Sequence, residues 1–406
     1  MVSVRPVLER FGGNPILLPI ESHRWESKAA FNPAALYDSG RVHLLYRAIG
    51  DTDVSMLGYA SSPDGFNFDE RLDEPAYLPR EPWEGAGPQT LTSPQASPYA
   101  SGGGFAGGCE DPRMTKIGER VYLTYVAYSG FSHPRSALSS ITLEDFRAKR
   151  WRWQRPVLIS PPDIIDKNAC LFPERVGGKY VIFHRVFPDI LIDYRDSLDF
   201  DGEHFLTGQQ HIGPRPDYWD SRKVGAGAPP LLTERGWLLI YHAVDNREPG
   251  RYKIGAMLLD RQQPSMVLAR TARPLLSPDA SYENEGWKAG VAYPCGAVIL
   301  NGTLFVYYGA ADQTVCLATM PLRTLLEELA LPRNAVPSKS SMAAGPKELP
   351  KVVGWCFRCR ARRTVQGGKT VLLKNGRLAV RGTCQSCGAS IVRLVKTASY
   401  PQQEQK

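Results

Sequence analysis

The residues best suited to chemistry are two adjacent carboxylates, Glu110 and Asp111, which are followed by Pro112 and Arg113. In an extended chain neighbouring side chains point to opposite faces, so we expect the two carboxylates to have different roles. A residue before proline favours extended geometry, which would fix the direction of Asp111. Arg113 is a planar double donor that suits a carboxylate or a phosphate. Taken alone, these four residues more often form a surface turn with a salt bridge. Whether they form a catalytic site therefore depends on the rest of the chain.

Four cysteines near the C-terminus form a second group, with metal-binding spacing. Cys356 and Cys359 are one C-x2-C pair, Cys384 and Cys387 are another, and 24 residues separate the pairs. Four thiolates on two such turns predict a closed, structural Zn²⁺ site in a zinc ribbon. A disulfide framework is the weaker alternative, because the other four cysteines are scattered, as is typical of free thiols in a cytoplasmic protein.

Length, composition and charge narrow the class of protein. A chain of 406 residues favours two domains, and 43% hydrophobic with 22% charged residues is typical of a soluble globular protein. The N-terminus lacks a signal-peptide pattern, and no apolar run approaches the ~20 residues that span a bilayer, so we expect a cytoplasmic protein without membrane contact. The net charge of +8 is uneven: residues 351–406 carry 12 Lys and Arg and one acid, against 37 basic and 40 acidic residues before them.

The first 330 residues repeat a pattern of β-type segments five times. In each repeat an apolar run ends near an aromatic residue, and a second β-run follows; the markers are Tyr46, Tyr125, Phe183, Tyr241 and Tyr307. Their intervals of 79, 58, 58 and 66 residues, without long helices between them, predict an all-β fold and a five-bladed β-propeller. In a propeller the site lies where the inner strands end, and there the sequence places Arg47, His184, Arg185, His242, Asp245 and Asp312.

Composition divides the chain into four segments. We expect the propeller at 1–330, a Pro-, Ser- and Ala-rich linker at 331–350, the zinc ribbon at 351–399 and a polar tail at 400–406, with a short helix at 324–330. The Gly-, Pro- and Ser-rich connection at 81–108 is either an active-site lid or a disordered insertion. The basic zinc ribbon leaves nucleic-acid contact open, although protein contact or stabilisation of an oligomer is the commoner role of such a module.

An ordered series of motifs from residue 10 to residue 325 resembles glycoside hydrolase family 130, the inverting β-mannoside phosphorylases and related hydrolases. The motifs are Asn14-Pro15, Phe31-Asn-Pro33, Leu45-Tyr-Arg-Ala48, Gly108-Cys-Glu-Asp-Pro-Arg113, Lys167-Asn-Ala-Cys-Leu-Phe-Pro-Glu174, His184-Arg185, Trp219-Asp220, Lys223-Val-Gly-Ala-Gly227, Tyr241-His242, Tyr293-Pro-Cys-Gly296 and Tyr307-Tyr-Gly-Ala-Ala-Asp312. The resemblance implies a five-bladed propeller that converts a small β-mannoside and phosphate into α-mannose 1-phosphate.

The resemblance also implies a role for each candidate residue. Asp111 would be the general acid, and its pKa would have to be raised by burial and by Glu110. The candidate phosphate ligands are Lys167, His184, Arg185, His242 and Arg113, and the resemblance favours Lys167 and Arg185. The mannosyl group would be held by Arg47, Glu110, Asp312, Asn32 and Tyr308. Inorganic phosphate is then a co-substrate, and no organic cofactor is expected.

Two alternatives remain open from the sequence. A hydrolase of the same family would need a second carboxylate to activate water on the opposite face of the sugar, whereas a phosphorylase needs cations there. A carbohydrate-binding propeller without catalysis is the alternative from another class, because a fold alone does not give a function. Linkage and acceptor stay undetermined, and we expect a homo-oligomer.

Overall fold

The computed structural model describes residues 7–86, 106–330, 353–356, 358–359, 361–372 and 378–394. The chain forms two compact units, Met1–Pro332 and Arg333–Lys406, which we call the body and the C-terminal module. Most of the predicted lid at 81–108, the predicted linker and the polar tail lie outside the described residues.

The described part of the body is built from 21 strands. In chain order they are β1 (Glu9–Arg10), β2 (Ala29–Asp38), β3 (Arg41–Ile49), β4 (Val54–Ser62), β5 (Glu70–Arg71), β6 (Gly107–Ile117), β7 (Arg120–Tyr128), β8 (Arg135–Thr142), β9 (Val157–Leu158), β10 (Lys167–Leu171), β11 (Tyr180–Val186), β12 (Asp189–Arg195), β13 (Gln210–Ile212), β14 (Lys223–Ala226), β15 (Leu231–Thr233), β16 (Gly236–Asp245), β17 (Glu248–Leu259), β18 (Val267–Arg270), β19 (Ala292–Leu300), β20 (Thr303–Ala310) and β21 (Thr314–Pro321). The α-helices are short: α1 (Leu143–Arg147) and α2 (Leu322–Ala330). No helix in the described ranges is long and apolar enough to cross a bilayer.

The strands form five antiparallel meanders, and the all-β prediction is confirmed. The first meander comprises β2–β5, the second β6–β9, the third β10–β13 and the fourth β14–β18; the fifth comprises β19–β21 and takes β1 as its outer strand. A short parallel pairing of β4 with β6 joins the first two meanders into one sheet. We call β2, β6, β10, β14 and β19 the inner strands. The hairpin turns use residues that tolerate positive φ, such as Asn301-Gly302 between β19 and β20.

Apolar side chains pack each meander against the next. Because the middle strands are covered on both faces, their sequences are nearly continuous in apolar residues rather than alternating. Five buried clusters lie between consecutive meanders, and one of them joins the fifth meander to the first. Representative members, in order from the first–second to the fifth–first cluster, are Leu45 with Leu123, Leu138 with Ile182, Phe183 with Leu239, Leu238 with Val306, and Leu44 with Tyr307. The hydrophobic core of the body therefore lies between meanders.

A buried polar pair anchors the middle strand of every meander. In each pair a tyrosine or histidine ring contacts a carboxylate from the segment before the inner strand: Tyr46 with Glu26, Tyr125 with Glu84, His184 with Asp166, Tyr241 with Asp220, and Tyr308 with Glu283. All five carboxylates are fully buried. Since a buried carboxylate is costly unless it is hydrogen-bonded, these pairs fix the approach to each inner strand.

The repeat predicted from the sequence is confirmed. Two of the aromatic residues chosen to mark it, however, lie one residue before the repeated polar position. The five predicted pairs of runs lie in β3 and β4, β7 and β8, β11 and β12, β16 and β17, and β20 and β21. The repeated polar position, however, is His184 rather than Phe183, and Tyr308 rather than Tyr307. Phe183 and Tyr307 belong instead to the apolar clusters between meanders.

The described part of the C-terminal module is a four-stranded antiparallel sheet. Its strands are β22 (Val353–Cys356), β23 (Ala361–Leu372), β24 (Leu378–Cys384) and β25 (Ser390–Leu394), paired in that order. The strands β23 and β24 pair with each other on either side of residues 373–377, which lie outside the described residues.

Candidate active site

Three inner strands carry a β-bulge at a candidate site residue. The pairing with the next strand shifts between Phe31 and Ala34, between Glu110 and Arg113, and between Lys167 and Cys170. Asn32, Asp111 and Asn168 lie within these bulges at φ values of 48°, 48° and 58°. Asn and Asp tolerate this left-handed region, and bulges often redirect side chains near active sites.

The extended geometry predicted for Asp111 is therefore wrong. Pro112 has no N–H group and cannot fill a regular position in the ladder, so the extra residue is accommodated as a bulge with Asp111 in the left-handed region. The preference of a residue before proline is a local effect, and here the tertiary pairing of β6 outweighs it.

The bulges bring five predicted residues into one buried cluster. Asp111 Oδ1 accepts a hydrogen bond from Asn32 Nδ2 at 2.8 Å and lies 3.4 Å from Arg47 Nη1. Arg47 Nη2 lies 3.3 Å from Glu110 Oε1, and Lys167 Nζ lies 3.3 Å from Glu110 Oε2. Glu110 thus connects the two cations, whereas Asp111 shares Arg47 with Glu110 and is also held by Asn32.

The electrostatics of Asp111 differ from the sequence-based expectation. Burial favours a raised pKa, but the charges of Arg47, Lys167 and Arg113, with the hydrogen bond from Asn32, outweigh it and lower the pKa of Asp111 below its ordinary value. Asp312, at the end of β20, shows the opposite shift: burial and the charge of Asp111 raise its pKa, against the opposing charges of Lys288 and Arg47. The site therefore holds two carboxyl groups with divergent proton affinity.

A group of cations and rings lies next to Lys167. Arg185 faces Lys167 across the β10–β11 pair, and Arg185 Nε donates to Asn168 Oδ1 at 2.7 Å. Asn168 Nδ2 in turn contacts the Tyr293 hydroxyl, and the Tyr293 ring lies 4.4 Å from the ring of His242. Burial, followed by the charges of Arg185, Arg113 and Lys223, lowers the pKa of His242 well below its ordinary value, so this imidazole is neutral at pH 7.

Lys223, Tyr252 and Lys288 extend this group, although the sequence analysis assigned them no role. Lys223 Nζ donates to the Tyr252 hydroxyl at 2.5 Å, and Lys288 Nζ lies 4.7 Å from the centre of the Tyr252 ring. Burial favours a raised pKa for Tyr252, but Lys223 and Lys288 outweigh it and lower that pKa to about 8. Within residues 7–86 and 106–330, none of Arg185, Lys223 and Lys288 forms an ion pair with a carboxylate.

Two buried polar atoms of the site have no hydrogen-bond partner among the residues that the structure describes. They are Asn32 Oδ1, on the Asp111 side, and His242 Nδ1, on the cation side. Most buried polar atoms in folded proteins are satisfied, so an unsatisfied atom needs an explanation. Asn32 Oδ1 is packed against Gly309, where a Cβ atom would lie 1.9 Å from it, so His242 Nδ1 is the better candidate for an atom that a ligand would satisfy.

Three residues predicted to bind substrate are engaged elsewhere. Both nitrogens of His184 contact carboxylates, Asp166 and Asp193, because His184 occupies the anchor position that is tyrosine in the other meanders. Tyr308 occupies the same position in the fifth meander, and its hydroxyl donates to Glu283 at 2.8 Å. These two residues stabilise the meanders, and the structure does not bring them to the site.

Arg113 is the third of these residues. Its guanidinium donates to the backbone carbonyls of Gly227, Asp111 and Ala226, at 2.9, 2.8 and 3.2 Å. Arg113 is fully buried, and it ties the bulge of β6 to the end of β14. Its charge acts on the site, but these donors are committed to the backbone.

Three cysteines of the C-terminal module form a separate cluster. The sulfur atoms of Cys359, Cys384 and Cys387 all lie within 4.8 Å of one another, and the first two are 3.9 Å apart. A tetrahedron with Zn–S bonds of about 2.3 Å has edges of about 3.8 Å, so this spacing fits a zinc site. Cys356 is placed at the end of β22, but its side chain lies outside the described residues.

Family models match segments of both units of the chain. The family model for glycoside hydrolase family 130, described as beta-1,4-mannooligosaccharide phosphorylase, matches residues 6–330. The chain belongs to this family. A domain of unknown function, DUF5679, matches residues 355–394. The family 130 match covers every residue of the site in the body.

Individual relatives of this family 130 protein are mannoside phosphorylases. A β-1,2-mannobiose phosphorylase from Thermoanaerobacter sp. strain X514 is 37% identical over 329 residues, which cover 77% of this chain and 97% of that protein. A 1,2-β-oligomannan phosphorylase of the same strain is 36% identical and covers 78% and 98%. The structure of β-1,2-mannobiose phosphorylase from Listeria innocua in complex with β-1,2-mannobiose superposes with a TM-score of 0.62 at 26% identity, and covers 79% of this chain and 99% of that one.

Proposed function

We propose that this family 130 protein is an inverting β-mannoside phosphorylase. Phosphate attacks the anomeric carbon of the terminal mannosyl unit, the bond to the acceptor oxygen breaks, and that oxygen takes a proton. The products are α-mannose 1-phosphate and the acceptor sugar. The Thermoanaerobacter relatives act on β-1,2-linked mannosides, so a β-1,2-linked substrate is the first to test.

The observation that carries this proposal is a group of cations near Asp111 that form no ion pair with a carboxylate among the described residues of the body. Arg185, Lys223 and Lys288 form no ion pair with a carboxylate in the described body. An incoming phosphate dianion would compensate them, with bidentate contacts from Arg185 and a point charge from Lys223. Neutral His242, whose Nδ1 lacks a partner there, would add a hydrogen bond.

Asp111 is the proposed general acid, and phosphate binding would prepare it. In the free protein nearby cations lower the pKa of Asp111, which disfavours the protonated form. A phosphate anion beside Lys167 and Arg185 would offset that field, and a mannosyl group over Asn32 and Arg47 would exclude water. Both changes raise the pKa, so the acid would gain its proton when both substrates are bound.

A hydrolase is the second candidate, and the same cations disfavour it. An inverting hydrolase needs a carboxylate base that activates water opposite the acid. Glu110 is the carboxylate next to Lys167, and it is already held between Lys167 and Arg47. Its position supports a role in orienting those cations rather than in activating water.

We further propose that the five meanders are the blades of a five-bladed propeller. The cyclic order of the apolar clusters, in which the fifth meander packs on the first, supports this arrangement. So do the hydrogen bond from Ala30 N to Gln313 O and the pairing of β1 with β21 across the two ends of the body. In such a ring the inner strands would surround the site.

We also propose that the C-terminal module binds one structural Zn²⁺ through Cys356, Cys359, Cys384 and Cys387. The close approach of the three described sulfur atoms supports it. When bound, the metal would supply folding energy to a unit with a very small apolar core.

Reverse synthesis tests the catalytic proposal. The protein is incubated with α-mannose 1-phosphate and a panel of sugar acceptors, and release of inorganic phosphate is measured. We expect acceptor-dependent release, and a loss of about 10²- to 10⁴-fold in Asp111→Asn, because a general acid contributes about that much. Asparagine tolerates the left-handed backbone conformation at position 111, so the variant should fold.

Asp163→Asn is the matched control. Asp163 is also left-handed, at φ 61°, but it is exposed and outside the site, so its variant should keep wild-type activity. Phosphate-independent cleavage of mannosides, without synthesis from α-mannose 1-phosphate, would instead assign the hydrolase.

A further inference from the structure

Trp287 is a large aromatic residue at the surface beside the site. Its relative exposure is 51%, whereas most tryptophans bury the greater part of their surface. The ring is held in place, because Nε1 donates to the backbone carbonyl of Lys28 at 3.3 Å, and Lys28 Nζ pairs with Asp53 at 2.7 Å. The indole is therefore about half exposed, and a hydrogen bond holds it in place.

The backbone next to Trp287 is connected to the site. Lys288 N donates to Ala311 O at 2.9 Å, and Ala311 directly precedes Asp312. A Cβ atom on Gly286 would lie 2.7 Å from Ala311, so only glycine permits this close approach. Lys288 reaches Tyr252 of the cation group, and its charge acts on Asp312. Trp287 thus lies at the rim, one residue from a side chain of the site.

The depth of the site determines which sugar could reach this ring. Asn32, Arg47 and Asp111 are only 3%, 1% and 6% exposed, so the mannosyl unit that they would hold lies at the bottom. The second sugar of the substrate extends from that unit toward solvent. An exposed indole at the rim is within the region of the second sugar, and its apolar face can cover the C–H face of a pyranose ring.

We propose that the Trp287 indole is the platform for the acceptor sugar, which leaves in phosphorolysis and attacks in synthesis. This inference rests on the proposed function and adds a determinant of acceptor binding to it. Trp287 contributes to binding of the acceptor and makes no contact with phosphate or with the transferred mannosyl unit.

Steady-state synthesis from α-mannose 1-phosphate and mannose, measured as phosphate release, tests this role. Trp287→Ala should raise the KM for mannose about five- to tenfold, which is the range of an aromatic contact, and leave the KM for α-mannose 1-phosphate within twofold. Trp287→Phe keeps an aromatic face and should show a smaller increase. Tyr37→Ala removes a ring of similar exposure, 47%, at the far end of β2 and should change neither KM.

The outcomes separate this inference from the proposed function. An active Trp287→Ala variant with an unchanged KM for mannose overturns the inference and leaves the phosphorylase intact. An equal rise in both KM values also overturns it, because a general disturbance of the site would act on both substrates. A wild-type protein without acceptor-dependent release overturns the proposed function, and this inference with it.

Discussion

At the scale of single residues, the partners of a charged group decide what it can do. Arg185 and His184 are adjacent in β11, yet the guanidinium faces Asn168 of the site and the imidazole lies between two carboxylates. Burial favours a lower pKa for His184, but Asp166 and Asp193 outweigh it and raise the pKa to about 9. His184 is therefore a buried cation at neutral pH and a structural partner of the residues that flank it.

This protonation predicts a dependence of stability on pH. A raised pKa in the folded state stabilises the protein fully below the unfolded value of 6.5, and that contribution is lost as the pH rises through about 9. We expect His184→Gln to reduce the free energy of unfolding by about 3 kcal/mol at pH 6.5, because it leaves two buried carboxylates without a cation.

Urea unfolding of the wild type and of His184→Gln at pH 6.5 and pH 10 measures this effect. The difference between the two proteins should shrink at pH 10, where the wild-type imidazole is neutral. A difference that stays constant between the two pH values would show that His184 acts only through packing.

At the scale of elements, the bulges of the inner strands place the site. Asn168 combines two functions in one position: it adopts φ 58°, and its amide connects Arg185 with Tyr293. The backbone conformation and the side-chain contacts can be separated by substitution, because glycine tolerates the conformation but lacks the amide.

We expect Asn168→Gly and Asn168→Ala to have the same functional effect and different stabilities. Both remove the acceptor of Arg185, so both should raise the KM for phosphate about tenfold in phosphorolysis, since one charge-assisted hydrogen bond is lost. Asn168→Ala should be less stable than Asn168→Gly by about 1 kcal/mol, because alanine is strained at positive φ. Equal stability of the two variants in thermal unfolding would contradict the assigned role of the bulge.

At the scale of the whole molecule, the two units differ in charge and in chemistry. The site residues are all in the body, whereas the cysteine cluster is in the C-terminal module. We expect one zinc ion per chain by elemental analysis, and none in Cys384→Ser. Phosphorylase activity should be retained in that variant, because every residue assigned to the site belongs to the body.

Cys316→Ala is the control for the zinc measurement, because Cys316 is a buried thiol of the body and should leave the zinc content unchanged. Zinc retained in Cys384→Ser, or absent from the wild type, would contradict the proposed metal site.

Much of this organisation was predictable from the sequence, since strands and repeats depend on local patterns of residue type. The β-runs around Tyr46, Tyr125 and Tyr241 identified the meanders because apolar periodicity reports burial directly. The displacement from Phe183 to His184 could not be foreseen, because a histidine at an anchor position differs from a phosphate ligand only in its partners. Those partners, Asp166 and Asp193, are brought to it by the fold.

The site was predictable where one motif carries both the residue and its conformation. Asn32-Pro33 and Asp111-Pro112 repeat an Asn/Asp-Pro pair at equivalent bulges, a signal that the sequence contains. Lys288 gave no such signal, because it comes from a connection whose path is set by the contact of Gly286 with Ala311. Arg113 has the residue type of a phosphate ligand, but backbone carbonyls of β14 and its neighbours use its donors.

The measurement that tests the central claim most directly is phosphorolysis of β-1,2-mannobiose followed by NMR of the first product. We predict cleavage that requires inorganic phosphate and initial formation of α-mannose 1-phosphate, because phosphate held by Arg185 and Lys223 attacks opposite the leaving sugar. Cleavage that proceeds equally without phosphate, with free mannose as the first product, would contradict the account.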